Sequence, residues 1–277
     1  MGWFWQFAGK RRFLNRQLRH FQPDVLEIPL SNEESLFVDP KDLYGPSFYV
    51  MYGGRSAFYH YEEPVKAAIL EHLPLNGLFF DVGANIGLIS LFISKFRKDV
   101  QIVSFEPAYC TSKALERTIE KNEIKRIHLE RLGVSDKSQK NVSFFIDSKS
   151  SGGNSLLESA ISHDVNTSES ISLVSLDDYV KTTQRIPSLV KVDVQDAESL
   201  VIRGASELIK RHQPVFVIEV NNELLLKNPI PFVEIFQGYE VYKVGTSKKV
   251  DIQDFAQLAQ EYLDQNQKVL DYVFVKK

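Results

Sequence analysis

Asp81-Val82-Gly83-Ala84-Asn85-Ile86-Gly87 places an acid, two glycines and an asparagine between two apolar runs. Small residues let a backbone approach a ligand closely and open the start of a helix to it. A dinucleotide fingerprint needs glycines spaced G-x-G-x-x-G, but counting from Gly83 puts Asn85 and Leu88 at the second and third sites. The pattern is instead acid-x-Gly-x-Asn-x-Gly. A carboxylate at a strand tip suits a cationic group such as an α-ammonium better than a pyrophosphate. Downstream, Glu106-Pro107 closes a second apolar run. Its carboxylate suits both hydroxyls of a ribose, with each buried charged hydrogen bond contributing about 1.5–3 kcal/mol. An ammonium reader and a ribose reader on neighbouring strands match S-adenosylmethionine.

These groups need elements to hold them, and the chain from about residue 64 alternates helices and strands in the manner of a parallel sheet covered on both faces. A helix carrying Ala67, Ala68, Ile69 and Leu73 is expected to stop near Asn76-Gly77. Leu78 to Val82 reads as a strand buried on both faces, and Leu88 to Phe96 as its helix. Val100 to Glu106 is expected as the second strand, a helix capped at Thr111 or Ser112 runs to about Asn122, and Ile127 to Val134 is the third strand. The rhythm breaks over about 136–176, where Asn141 to Asp147 and Ile171 to Leu176 flank a polar stretch rich in serine and glycine. That reads as an inserted flap. Leu189 to Val194, a helix over Ala197 to His212, and Val215 to Val220 resume the pattern. The tail offers strands Glu240 to Val244 and Tyr272 to Val275 around a helix over Ile252 to Leu263, while 221–235 reads as loop.

Further segments fall at telling places: Phe105-Glu106-Pro107, Ser175-Leu176-Asp177-Asp178, Lys191-Val192-Asp193-Val194-Gln195-Asp196-Ala197-Glu198, Ile202-Arg203-Gly204-Ala205, and Pro214 through Glu219. With Asp81 to Gly87, and in this order over roughly 60–275, the set resembles the FkbM family of class I methyltransferases. The resemblance implies a Rossmann-like α/β fold with a seven-stranded, mostly parallel sheet and helices on both faces. It also implies S-adenosylmethionine as donor and usually O-methylation, often on sugar or metabolite hydroxyls. Residues 61–277 then form the methyltransferase domain, and 1–60 a basic, aromatic lead-in. Where the family carries Glu-Gly after the fourth-strand aspartate, this chain has Gln195-Asp196, which is expected to alter that turn and to weaken a metal or base there.

The expected donor contacts are Asp81, Gly83, Ala84, Asn85, Gly87, Glu106, Pro107, Gly133, Val134 and Asp193. A sulfonium is already a good leaving group, so alignment and exclusion of water are the main demands. An alcohol still has to lose a proton, and Asp193, then Glu198 and Glu219, are the candidate catalytic carboxylates. Together they could hold Mg²⁺ through oxygen ligands, although no metal is assigned. Glu198 also reads as an acid stabilising its helix start. His163 with Asp164 in the flap is a second candidate base, Asn154 and Ser155 candidate contacts, and Cys110 a small filler. Two other classes stay open: a non-catalytic cofactor-binding or scaffold protein of the same fold, and a nicotinamide-dependent oxidoreductase, which Asn85 and Leu88 disfavour.

Composition fits that frame. Apolar residues make up 43% and charged residues 25% of 277, an ordinary globular mix. One cysteine excludes an intrachain disulfide. The net charge of −3 argues against nucleic acid as partner. Residues 1–22 nevertheless hold Lys10, Arg11, Arg12, Arg16 and Arg19 beside Trp3, Phe4, Trp5 and Phe7. They are expected as a packed helical extension or a peripheral membrane contact rather than a secretory signal. No apolar run approaches the ~18 residues of a membrane span. The expected setting is cytoplasmic, with a small hydroxylated or glycan acceptor.

Overall fold

The structure, a computed structural model, describes residues 24–161 and 165–276. The expectations for 1–22 and for His163 and Asp164 lie outside those residues. The described chain opens with a hairpin, β1 (Leu26–Pro29) and β2 (Ser35–Val38), then α1 (Pro46–His60) and α2 (Glu63–His72). Next come β3 (Leu78–Val82), α3 (Leu88–Phe96), β4 (Gln101–Phe105), α4 (Tyr109–Lys121), β5 (Ile127–Glu130) and β6 (Gly133–Val134). The flap strands β7 (Gln139–Asp147) and β8 (Val165–Val174) precede α5 (Leu176–Thr183), β9 (Leu189–Val192), α6 (Glu198–Arg203) and α7 (Ser206–His212). The chain finishes with β10 (Val215–Asn221), α8 (Asn222–Lys227), α9 (Ile230–Ile235), β11 (Tyr239–Lys243), β12 (Val250–Asp251), α10 (Phe255–Asp264) and β13 (Val269–Lys276).

The main sheet runs β12-β11-β13-β10-β9-β3-β4-β5. The five strands from β10 to β5 pair in parallel, and β13 runs antiparallel between β10 and β11. This is the Rossmann-like sheet expected, with the two-residue β12 added at the edge as an eighth strand. The apolar runs explain why it is covered on both sides, because alternate residues of a strand face opposite ways. Phe79, Ile102, Leu189 and Val217 join one cluster with the apolar faces of α1 to α4. Phe80, Val103, Val190 and Phe216 join the other, with α5 to α10. The lead-in belongs to the first cluster through Leu36, Val38, Val50 and Phe58. It is tied down where Thr118 on α4 accepts the Phe37 amide at 2.9 Å.

Four stretches differ from the sequence expectation, each for a local reason. Ile127–Val134 splits, because Gly133 and Val134 pair with β8 in the separate β6-β8-β7 sheet. The strand expected to reach Leu176 ends at Val174, because the Ser175 hydroxyl accepts the Asp178 amide and caps α5. The helix over Ala197–His212 breaks at Gly204-Ala205. There the chain runs so close to Ser135 that a Cβ on Gly204 would lie 2.1 Å from its carbonyl oxygen. Asp177 accepts the Glu207 and Leu208 amides and starts the next helix. Finally, 221–235 is not loop. Asn221 caps α8, and Phe232 on α9 is buried, although prolines and asparagines mask both helices in the sequence.

Candidate functional site

The carboxyl ends of β3, β4 and β9 open into a cleft with an empty volume of about 950 Å³, counting the part open to solvent, which is a size suited to a small-molecule ligand. Its floor is the 83–86 part of the glycine loop, and Gly87, expected as a donor contact, does not line it. Gly83 takes φ +77° and passes so near the end of β9 that a Cβ would stand 1.8 Å from the Asp193 carbonyl oxygen. Gly87 takes φ +84°, with Leu115 filling the space where a side chain would start. The sequence suggested loop amides free for a ligand, but those of 83–87 are already bonded. Gly83 and Ala84 both donate to the Phe105 carbonyl, Asn85 to Glu106, Ile86 to the Asn85 side chain, and Gly87 to the Ala84 carbonyl. With its donors committed, this loop is no cradle for a pyrophosphate.

Glu106 lies on the cleft wall directly after β4 and is 5% exposed. One carboxylate oxygen accepts the Ala108 amide at 3.0 Å and the Thr111 hydroxyl at 2.8 Å, and the other accepts the Asn85 amide at 2.8 Å. Burial pushes its pKa up against these donors. Beyond it, Pro107, Leu132, Gly133, Val134, Phe144 and Leu156 make an apolar wall. Gly133 and Val134 are on that wall, with Pro107 beside them.

Asp81 is placed differently. It is fully buried and does not line the cleft. One of its oxygens accepts the Ser90 hydroxyl at 2.5 Å, and the other lies 3.6 Å from Lys191 Nζ. The residue that faces the cleft there is Lys191, which pairs with Asp81 across β3 and β9 and donates to the Gly83 carbonyl at 3.1 Å and to Asp193 at 3.3 Å. Burial opposes the lysine charge, but Asp193, Asp81 and Glu62 outweigh it and hold its pKa well above the usual value. Asp81, expected to read an ammonium directly, thus faces Lys191 behind the cleft and not the cleft itself.

Of the candidate catalytic acids, Asp193 and Glu219 reach the cleft and Glu198 does not. Glu198 instead accepts the Val194 amide at 3.0 Å beneath the turn, and burial raises its pKa to about 8. That shift has a thermodynamic consequence. A carboxyl whose folded pKa exceeds its unfolded value adds stability below the unfolded pKa and loses it as pH rises through the folded one. Melting of the ligand-free protein is therefore expected to fall between pH 4.5 and about 8, and Glu198→Gln should flatten the decline in a calorimetric pH series.

Gln195 sits in the middle of the acids. Its side-chain amide donates to Asp193 at 2.7 Å and to Glu219 at 3.1 Å, and its carbonyl accepts the Ser155 hydroxyl at 2.7 Å. Gln195 and Asp196 take φ +54° and +71°, and the Asp196 carboxylate accepts Asn221 at 3.1 Å. Among the described residues, no group of three or more His, Cys, Asp or Glu side chains is placed to hold a metal ion. From the flap, Asn154 is on the wall while Ser155 is fully buried, and the Asn85 amide group ties the floor to the Ser151 carbonyl at 2.9 Å. Cys110 does not line the cleft, and burial raises its thiol pKa.

Three contributors escape a reading of the motifs. Glu62 and Tyr61 reach the cleft from the junction of α1 and α2. Asp271 lies directly opposite Glu219 on β13, an unfavourable like-charge pairing. Asp193 first, then burial and Asp271, raise the Glu219 pKa well above normal. Burial, then Glu62 and Asp193, raise Asp271 to about 7. An acid inside the apolar run Val269–Lys276 was the only sequence sign of this.

Four carboxylates (Glu62, Glu106, Asp193 and Glu219) and one ammonium (Lys191) thus line the cleft among the described residues. S-adenosylmethionine, which carries an ammonium, a sulfonium, a ribose and a flat base, fits this donor set. The acids suit its positive groups, Glu106 its ribose, and the apolar wall its base. No helix among the described residues is long and apolar enough to cross a membrane.

The fold is similar to a methyltransferase FkbM structure from Methylobacillus flagellatus KT, at 15% identity over 82% of this chain and 53% of that one, with TM-score 0.49. This chain spans about half the length of that protein. It is also similar to a precorrin-6y C5,15-methyltransferase from Geobacter metallireducens GS-15, at 12% identity over 76% of this chain and 86% of that one, TM-score 0.43. M. jannaschii TYW2 in complex with AdoMet matches at 11% identity over 92% of this chain and 88% of that one, TM-score 0.43. A search of curated proteins finds no match. Residues 81–262 match the Methyltransferase FkbM domain, and the chain belongs to that methyltransferase family.

Proposed function

We propose that this protein moves the methyl group of S-adenosylmethionine to a hydroxyl of a sugar or of a small hydroxylated metabolite. The observation that carries the reading is the cleft itself, where Glu106 after β4 and the acid-rich end of β9 line one cleft from either side of β3 and the loop amides are spent. The donor supplies a methyl on a sulfonium, which leaves as a neutral thioether with the bonding electron pair. The chain's own residues then have three tasks: to fix the ribose at Glu106, to balance positive charge with Asp193 and Glu219, and to keep water out. The flap contributes to the last, since Asn85, Ser151 and Asp42 link it to the floor and to the start of α1. A base then completes the chemistry by accepting the hydroxyl proton.

One observation favours the non-catalytic alternative: the Gln195 amide already occupies both Asp193 and Glu219. Incubation with methyl-labelled donor and a panel of glycosides, phenols and lipids separates the two. Label in any glycoside or hydroxylated product supports transfer, and donor binding with no labelled product supports the alternative.

A further inference from the structure

Beyond Gln195 and Glu62 the donor cleft continues into a second, more open cavity of about 920 Å³, counting the part open to solvent, and the two share Pro46, Tyr61, Glu62, Gly152 and Gln195 as walls. Its outer wall comes from the lead-in, which lies outside the matched domain. Tyr44 and Tyr49 line it, 53% and 46% exposed as residues, and the Tyr49 ring lies 5.8 Å from that of Tyr61. Large apolar surface left open beside a ligand cleft marks a binding surface. Tyrosine is well suited to a ligand that is apolar on one face and polar at its edge. No lysine or arginine is among the described residues that line this cavity, and the imidazole there, His60, is paired with Glu63 at 3.2 Å, while Glu62 and Asp147 are also in its lining, a balance that favours a neutral ligand over a phosphate or carboxylate. At the junction of the two cavities stands Glu62. It takes φ +46°, a backbone state unusual for glutamate, ahead of the first turn of α2, and the neighbouring Tyr61 hydroxyl donates to its carboxylate.

We infer that the second cavity is the acceptor site for a neutral pyranose, stacked on Tyr49, and that Glu62 takes the proton from its reacting hydroxyl. This rests on the methyl-transfer reading above. A sugar ring offers C–H bonds on its faces and hydroxyls at its edge, matching rings on the outer wall and carboxylates at the neck. In the step, the acceptor oxygen gives its proton to the Glu62 carboxylate as it forms the new O–CH₃ bond. The S–CH₃ bond breaks with its electron pair staying on sulfur, and the protonated Glu62 later releases its proton to water. Asp193 is the poorer base, since both of its oxygens already accept donors, from Gln195 and Lys191. Burial first, and then Asp193 against the opposing Lys191, raises the Glu62 pKa toward the range useful to a base.

The test uses the full-length protein, the methyl glycosides of glucose, galactose, mannose and rhamnose, and benzylamine. Binding of S-adenosylhomocysteine by each variant is measured in parallel. At least one glycoside is expected to bind the S-adenosylhomocysteine complex and to be methylated by the wild type. Glu62→Gln should still bind S-adenosylhomocysteine measurably, so that the loss falls on turnover, which should drop by about 10²–10⁴-fold at saturating donor, and the acidic limb of the pH–rate profile should vanish with it. Tyr49→Ala should raise the glycoside KM about tenfold, while Tyr49→Phe stays close to wild type. Retained turnover in Glu62→Gln, a glycoside KM indifferent to Tyr49→Ala, or methylation of benzylamine alone would overturn the inference. So would a protein that binds S-adenosylhomocysteine and no glycoside, whereas loss of S-adenosylhomocysteine binding by the wild type would instead sink the donor reading.

Discussion

Lys191→Met is expected to destabilise the protein by about 3–5 kcal/mol, because it removes the cation from a buried group of acids. Asp81 is fully buried, and one of its oxygens has no hydrogen-bond partner and only Lys191, at 3.6 Å, to offset its charge. Asp193 also loses the ammonium at 3.3 Å, and the Gly83 carbonyl loses its donor. Methionine matches the lysine stem in length, so lost packing is a minor part of the effect. For a chain of this size the change corresponds to a fall in melting temperature of about 6–20 °C, read by calorimetry. Adding Asp81→Asn to Lys191→Met should recover part of the loss, because the uncompensated carboxylate is then gone. A double variant no more stable than Lys191→Met would show that the pairing is not what the lysine supplies.

Gly83→Ala is expected to cost about 2–6 kcal/mol, combining a strained left-handed backbone with an overpacked contact. The contact is with main chain, a Cβ 1.8 Å from the Asp193 carbonyl oxygen, so no side chain can turn away to relieve it. Relief requires β3 and β9 to separate at their tips, where the cleft floor meets Asp193. Donor affinity should therefore fall with stability. Gly245 supplies the control: its φ is +79°, yet a Cβ there meets nothing within 4 Å. Gly245→Ala should cost only the backbone part, about 1 kcal/mol. Equal melting temperatures for the two variants would contradict the close approach of the two strand tips.

Much of the frame is legible in the chain because parallel strands leave a plain signal. Leu78–Val82 and Val100–Phe105 are short, largely apolar runs, the first leading into the glycine loop and the second into Glu106, while Leu189–Val194 keeps one wholly apolar face, Val190, Val192 and Val194. Glu106 could be placed because it directly follows its strand. Asp81 could not be told from Lys191 as the residue facing the ligand, because the choice depends on which strand lies beside β3, and the pairing Asp81 to Lys191 joins residues far apart in sequence. The same limit hid Asp271 opposite Glu219 and Glu62 across from Asp193, which tertiary structure alone brings together. Helix breaks at Gly204 and the cap at Ser175 escaped for a different reason. Both follow from contacts with distant backbone or from a single hydroxyl, and apolar periodicity carries neither. Gln195 read as the loss of a carboxylate, whereas its amide holds two carboxylates together.

Calorimetric titration of S-adenosylhomocysteine into the wild type and Glu106→Ala tests the donor site most directly. One molecule should bind per wild-type chain, with NAD giving no heat. Glu106→Ala should bind about 10- to 150-fold more weakly, the equivalent of about 1.5–3 kcal/mol for the ribose contact. Binding of NAD in place of S-adenosylhomocysteine, or an affinity that Glu106→Ala leaves unchanged, would contradict the site described here.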